Sequence, residues 1–511
     1  MHDQKLPENA PGSTGPHAAP ENVSDLGGQV RRAVFWRTGT QIFAQLISWS
    51  ATLIVIRLLN PADYGLFAMA QVMMTFLDFL NGYGFASALI QSKEVSKQAI
   101  RQALGLAILL NAGIAGLQIM LAPHVAAYYG KPEVGELLRV LAMAYLFTPF
   151  IIVPEVILSR SLEFRKQAIV NISGALVGAV ASLGFALAGF GVWTLIYAPL
   201  CLIATRAIGM TLAAGIYVWP SFNFRGAGTI IKFGLAMMGS HLFWVMQSQS
   251  DIFIAGRRFD AHDVGLYAEA LFLTQLVMAK FVPALNQVAF PAYARLQDDP
   301  AAIRWSFVAA VSLIMLVTAP IYIGIAASAA PLIEVLFGTK WLGMAPLVQI
   351  LGFAMPFMTL QILFAPMTNA MGRPDLAMKS SACGALIFAI AFLIGSRFGI
   401  VGMSWAWVAA APLLLATTIG LAMPVSGVSH RDIVRAALPG IASAAIMGAL
   451  VMAATPLLPA DWSAVIRLGS LVAMGALLYG AISWWTQRPV LLRAISLLRH
   501  RGAGTAQPAP A

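Results

Sequence analysis

The chain is short of charge. Only 10% of its 511 residues are Asp, Glu, Lys or Arg, against roughly 25% in an ordinary soluble globular protein, so a water-facing surface cannot be built over most of its length. Cysteine is nearly absent. Cys201 and Cys383 sit inside apolar stretches, far apart and outside any CxxC or Cys/His spacing, which argues against a disulfide framework or a metal site and reads as two small apolar packing residues. GxxxxGK[ST], HExxH and GxSxG patterns are also missing. ATP hydrolysis, zinc hydrolysis and serine-hydrolase chemistry therefore have no support here, and the expectation is a protein that is not an enzyme and carries no cofactor.

What the chain has in abundance is apolar length. Hydrophobic residues make up 59% and the mean hydropathy is +0.79, the composition of an all-α polytopic membrane protein. A spanning helix takes about 20 apolar residues. Breaking the sequence at its polar clusters gives about fourteen candidate spans, near 36–57, 64–90, 101–122, 136–158, 168–189, 191–217, 229–256, 264–290, 305–327, 345–370, 376–396, 400–423, 433–456 and 464–485. No room is left for a sizeable soluble domain. Residues 1–33, rich in Pro, Gly, Asn and His, are expected to be a disordered tail. Residues 488–511 are basic and then Ala/Pro-rich. Because no apolar segment with a cleavage site precedes it, the first span is expected to direct insertion itself.

Cytoplasmic loops retain Lys and Arg, and here the two sides differ. The clusters Arg31, Arg32, Arg37; Lys93, Lys97, Arg101; Arg160, Arg165, Lys166; Arg225, Lys232; Arg295, Arg304; Arg373, Lys379; Arg431, Arg435; and Arg488, Arg493 all fall on the side of the two termini. Both termini are expected in the cytoplasm. The same sorting accounts for most of the +11 charge, which is dealt out loop by loop and not gathered on one patch, as a nucleic-acid binder would have it.

The segment "RLLNPADYGLFAMA" at 57–70 returns as "RRFDAHDVGLYAEA" at 257–270. Ungapped alignment of 39–70 with 239–270 matches Gly39/Gly239, Phe43/Phe243, Ser48/Ser248, Ser50/Ser250, Ile54/Ile254, Arg57/Arg257, Asp63/Asp263, Gly65/Gly265, Leu66/Leu266, Ala68/Ala268 and Ala70/Ala270. The copies lie six spans apart and so share an orientation. That is a parallel repeat, as in transporters that rock one lobe against the other. It predicts a six-helix lobe over 34–223, a second over 224–425, a central cavity between them, and two added helices over 426–487. The repeated motif itself reads as a helix hairpin. Arg57 and Arg257 can snorkel to the interface, Pro61 starts a turn, Asp63 and Asp263 are candidate N-caps, and Gly65 and Gly265 allow close packing. A phosphate or sugar pathway along Arg57 and Arg257 is the competing reading.

"RLLNPADYGLFAMA", "GYGFASALIQ", "SLEFRKQAIV", "GFGVWTL", "FGTKW" and "NAMGRPDLAMK", in this order, resemble the polysaccharide-biosynthesis flippases, and more closely the Wzx-type exporters of colanic acid and exopolysaccharides. The resemblance covers roughly residues 33–490. It implies the multidrug/oligosaccharidyl-lipid/polysaccharide superfamily and two six-helix lobes with extra C-terminal helices. It also implies a bacterial inner membrane, a lipid-linked oligosaccharide as cargo, and a polymerase and chain-length regulator as pathway partners. A drug/cation antiporter of the related multidrug branch normally stops at twelve helices. A membrane polymerase or glycosyltransferase usually needs a substantial extramembrane domain, for which there is no room.

An ionisable group inside the membrane is expensive and marks function by default. In the second span Gln71, Thr75, Asp78 and Gly82 share one helical face, and in the seventh Ser240, Trp244, Gln247 and Asp251 do the same, with His241 and Ser248 beside them. The eighth span aligns Glu269 and Lys280, and Arg206 lies midway along the sixth. For a lipid pyrophosphate the candidate cations are Arg206 and Lys280, with Arg57 and Arg257 nearer the outer mouth. Trp244, Gln247 and Gln249 suit sugar rings. Asp78, Asp251, His241 and Glu269 are candidates for a coupling cation or for buried ion pairs with Arg206 or Lys280, and both readings stay open.

Overall fold

The computed structural model describes residues 39, 43–78, 97–161, 163–215, 218–222, 228–297, 299–459 and 461–492. The expected tail 1–33, residues 493–511 of the second tail, the "GYGFASALIQ" motif, Gly82 and the side chain of His241 lie outside the described residues. Among the described residues every regular element is helical. The first half consists of α1 (Phe43–Leu58), α2 (Pro61–Asp78), α3 (Lys97–Tyr129), α4 (Pro132–Leu141), α5 (Met143–Phe147), α6 (Pro149–Arg160), α7 (Phe164–Leu187) and α8 (Thr194–Ala214). The second half consists of α9 (Gly228–Arg258), α10 (Ala261–Ala294), α11 (Pro300–Ala327), α12 (Ala329–Leu336), α13 (Ala345–Ile362), α14 (Phe364–Ala370), α15 (Pro374–Gly395) and α16 (Gly399–Ser426). Helices α17 (His430–Ala454) and α18 (Ala464–Thr486) complete the bundle.

Nine stretches among the described residues are long and apolar enough to cross a membrane, and one of them, Pro374–Ser426, is folded into the neighbours α15 and α16. The protein is a multi-pass membrane protein. Helices α2, α9 and α10, which carry the polar stripes, are not among the nine. Two spans are broken where proline removes a backbone donor. Pro149 cannot donate to Tyr145 O, and the chain breaks at Thr148 between α5 and α6; Pro366 cannot donate to Ile362 O, and the break falls at Leu363 between α13 and α14.

The repeated hairpins start one turn earlier than expected. Pro61 and Ala261 are the first helical residues, so the capping positions are Asn60 and Asp260, and Asp63 and Asp263 sit in the first turn. Asn60 N donates to Asp63 Oδ2 (2.9 Å), while Asp260 Oδ1 accepts from Asp263 N (2.8 Å). Both arrangements satisfy donors that the helix start leaves unpaired. The N-cap expectation at Asp63 and Asp263 is thereby corrected: in the first copy proline takes the first helical position and puts the cap at Asn60, and in the second the Asp260 carboxylate is itself the cap.

Within the first half α7 packs on α8, α6 on α8 and α3 on α4; within the second, α15 packs on α9 and α16, and α13 on α16. The halves meet mainly through α2, which lies against α10 and α9. There Gly65 and Gly265, a matched pair of the repeat, touch each other. A Cβ on Gly65 would fall 1.8 Å from Ala261 O, and one on Gly265 would fall 1.8 Å from Pro61 O. Such reciprocal contacts arise where a two-fold relation passes through an interface, because each copy then meets its own equivalent. Helix α17 lies along α11, and α18 leans on α17 and α12, joined by Ile323, Ala444, Met447, Val451 and Leu471.

Candidate functional site

Arg57 and Arg257 lie on the seam between the halves. Arg57 Nε donates to Leu336 O (3.1 Å) and its Nη2 to Val335 O, at the end of α12. Arg257 Nη1 donates to Tyr128 O (2.6 Å), at the end of α3, with its guanidinium over the Tyr128 ring. Each arginine therefore caps the C-terminal carbonyls of a helix in the opposite half, where unpaired acceptors and the helix dipole both favour a cation. Lys340 Nζ donates to Leu58 O (3.0 Å) and Trp341 Nε1 to Ile56 O (2.9 Å), tying the "FGTKW" motif to the end of α1. Tyr128 stacks on Phe253 at 4.5 Å. The seam at this end is held by these contacts, with Trp341 buried and the two arginines at the exposed edge.

Away from the seam each half holds a cavity. In the first half a space of about 370 Å³ between α1, α6, α7 and α8 is lined by Gln45, Glu155, Gln167, Asn171 and Arg206. Arg206 Nη2 stands 3.8 Å from Glu155 Oε2, outside hydrogen-bond range. Arg206 Nε and Asn171 Oδ1 are buried without a hydrogen-bond partner, a costly condition that marks a place for an occupant. Gln45 Oε1 accepts from Lys280 Nζ (3.2 Å), and Lys280 also stands over the ring of Trp49. Lys280, from the second half, thus reaches Gln45, which lines the same cavity as Arg206. A second space of about 510 Å³ shares Ser48, Ala175 and Leu202 with the first and continues past Gln71 to Glu269 and Tyr64.

In the second half a cavity of about 320 Å³ between α9, α10, α13, α14, α15 and α16 brings Trp244, Gln247 and Gln249 together with Gln275, Gln361 and Thr418. In the order of the repeat α9, α13–α14, α15 and α16 correspond to α1, α6, α7 and α8 around the Arg206 cavity, and α10, the counterpart of α2, is an addition. No charged side chain lines this space among the described residues.

Asp78, Asp251 and Glu269 are not paired with Lys280 or Arg206 among the described contacts; the acid that faces Arg206 is Glu155. Asp251 is 2% exposed. Its Oδ1 accepts from Ile252 N (2.7 Å) and its Oδ2 from Tyr267 Oη (3.3 Å), which in turn accepts from Trp407 Nε1 (2.8 Å). Asp78 ends the described part of α2, and Glu269 faces the first-half cavity. Tyr267 and Trp407 have the ordinary look of core aromatics in sequence, so their role escaped notice there. Glu155 had a signal, being an acid inside an apolar span.

The chain is 23% identical over 485 residues to the succinoglycan biosynthesis transport protein ExoT of Rhizobium meliloti (strain 1021), covering 92% of this chain and 96% of that protein. It is 22% identical to the lipopolysaccharide biosynthesis protein WzxC of Escherichia coli (strain K12), over 69% of this chain and 72% of that one. Among solved structures, the lipid II flippase MurJ in an inward closed conformation superposes with a TM-score of 0.68 at 13% identity, over 89% of this chain and 99% of that one. An inward-facing multidrug resistance MATE family transporter of the MOP superfamily gives 0.58 at 16% identity, over 77% and 98%. These two likenesses concern the fold. The model of the polysaccharide biosynthesis protein family matches residues 54–346, more than half the sequence, and the chain belongs to that family.

Proposed function

We propose that this protein moves undecaprenyl-pyrophosphate-linked oligosaccharide units from the cytoplasmic to the periplasmic leaflet of the bacterial inner membrane, for exopolysaccharide or capsule assembly. The observation that carries the reading is Arg206. Its Nε is buried without a partner in a cavity whose Gln45 is held by Lys280. A pyrophosphate entering there meets a guanidinium suited to bidentate contact and a nearby ammonium. Bringing such a dianion into the membrane interior is tolerable only where cations of this kind await it.

The seam held by Arg57 and Arg257 acts as the outer gate. It opens when the halves rock apart, exchanging intramolecular carbonyl contacts for water. The positive-inside pattern supports cytoplasmic termini and a periplasmic seam. Asp251, Asp78, His241 and Glu269 remain the groups for any coupling cation. The relatives' names, which include a transport protein of succinoglycan biosynthesis, support transport over catalysis, and a polymerase and chain-length regulator are the partners that would take up the delivered unit.

The experiment is lipid extraction from a strain lacking the chain, followed by mass spectrometry. Accumulation of a complete polyprenyl-pyrophosphate oligosaccharide supports translocation and identifies the cargo. Incomplete units, or an unchanged lipid pool with altered drug sensitivity, refute it in favour of a sugar-adding enzyme or an antiporter.

A further inference from the structure

We infer that the second-half cavity is a subsite for uncharged sugar rings of the cargo, separate from the cationic cavity that takes its pyrophosphate. The inference rests on the flippase reading and adds to it a division of labour between the two halves. The two cavities occupy equivalent places in the repeat. Arg206 comes from α8; its counterpart helix α16 contributes Thr418, an uncharged hydroxyl. An anion held in the second cavity would have no described cation to neutralise it, which inside a membrane is prohibitive. A sugar ring has no such need. Its hydroxyls both donate and accept, and its C–H faces lie against aromatic rings.

The groups present match that chemistry. Gln361 Nε2 donates to Ser380 Oγ (3.3 Å), Ser380 Oγ lies 2.6 Å from Thr418 Oγ1, and Thr418 Oγ1 donates to Leu414 O (2.8 Å). Because the Thr418 proton is committed to Leu414, the chain runs one way, with Ser380 donating to Thr418. Gln361 then keeps its oxygen and its second N–H for an occupant, one acceptor and one donor, as a hydroxyl requires. Trp407 forms part of the wall, and its ring is pinned by the bond from its Nε1 to Tyr267 Oη, which Asp251 anchors from behind. Trp407, 5% exposed and packed on Phe388 and Phe392, thus gives the cavity a rigid wall, while the aromatic surface open to a sugar is that of Trp244, which lines the same cavity and is 46% exposed. The third element is a glycine. A Cβ on Gly384 would fall 2.3 Å from Gln247 Oε1, so the absent side chain is what admits the Gln247 amide to this site.

Lys280 and Gln275 both stand on α10, five residues apart, the first reaching Gln45 and the second lining the neutral cavity. The pyrophosphate and the sugars attached to it can therefore be held at once along a single helix.

The test uses the full chain in lipid nanodiscs and two probes: undecaprenyl pyrophosphate, and the lipid-linked glycan extracted from a strain lacking the chain. The wild-type protein is expected to bind the glycosylated lipid at least about tenfold more tightly, since a pair of hydrogen bonds is worth roughly that factor. A Gln361→Leu/Thr418→Val variant, and independently Gly384→Ala, should bring the glycosylated lipid down to the affinity of the bare one and leave the bare one unchanged. Gly384→Ala displaces only the end of a flexible side chain and serves as the variant least disturbing to the fold. Equal binding of the two lipids by the wild type, a full preference kept by both variants, or equal loss of both lipids in both variants would each overturn the subsite and leave the flippase reading standing. If the wild type bound neither lipid, the flippase reading itself would fall.

Discussion

Residues 39–70 and 239–270 are two copies of one hairpin, and they differ in a patterned way. Where the copies touch they are alike: Arg57 and Arg257 each cap a helix of the other half, and Gly65 and Gly265 lie against each other. Where they face the cavities they have mostly diverged. Gln45 corresponds to Val245, Ala44 to Trp244, Ile47 to Gln247, Trp49 to Gln249, Ala51 to Asp251 and Met69 to Glu269, at least one member of each pair lining a cavity. Ser48 and Ser248, and Ala68 and Ala268, line cavities and are nevertheless identical. A contact across a two-fold relation constrains both copies at once, because each residue meets its own equivalent. A cavity wall carries no such constraint. The difference teaches how to read an internal repeat: identity gathers at the seam, and divergence gathers at the cavity walls.

The comparison breaks first at the charged cavity. Arg206→Ala or Lys280→Ala should abolish polymer export at unchanged protein level, the loss of a charge-assisted contact of about 1.5–3 kcal/mol being roughly a 10–100-fold weakening of pyrophosphate binding. Normal polymer from both variants, with no build-up of the lipid intermediate, would remove them from the path.

Next comes the glycine seam. Gly65→Val or Gly265→Val places atoms where backbone oxygens now lie, and overpacking of this kind costs about 1–3 kcal/mol or more. We expect a lower unfolding temperature in detergent for each. If the seam is two-fold related, the two drops will be similar; a large drop at one position alone would contradict the symmetry.

A smaller effect is expected at Tyr267. Tyr267→Phe leaves Trp407 Nε1 and Asp251 Oδ2 without their shared partner, a loss on the order of 1–3 kcal/mol, and should alter Trp407 fluorescence and glycosylated-lipid binding together. An unchanged emission spectrum would show that the pin does not hold the ring.

The smallest change is Arg57→Lys, which keeps the charge and loses the fork that reaches two carbonyls, or Arg257→Lys, which loses the guanidinium that reaches Tyr128 O and lies over its ring. Each should weaken the seam by roughly 1 kcal/mol, detectable as faster labelling of a cysteine placed at Ala68. Labelling at the wild-type rate would mean the arginines do not latch the seam.

Much of this architecture was legible in the chain. Apolar runs placed the helices, since a membrane leaves no alternative way to satisfy the backbone. The matched residues indicated two lobes of the same orientation before any packing was known. The wet residues Trp244, Gln247 and Gln249 were picked out by type and do share a cavity. Arg57 and Arg257 were grouped with the substrate path because charge near a membrane draws attention. The structure puts both on helix carbonyls. For Asp251 the sequence leaves an ion pair and a coupling-cation role open; in the structure its carboxylate accepts from Tyr267, a partner sixteen residues away on the next helix that no spacing rule singles out.

By itself the sequence determined the membrane class, the helices, the repeat and the sorting of charge, because each follows from local composition and periodicity. Only the tertiary structure decided which polar groups meet. Lys280 reaches Gln45 across 235 positions, Arg57 reaches Leu336 across 279, and Trp407 reaches Tyr267 across 140. Such pairings depend on how helices cross and rotate against one another, which the packing of small and large side chains over the whole bundle sets at once.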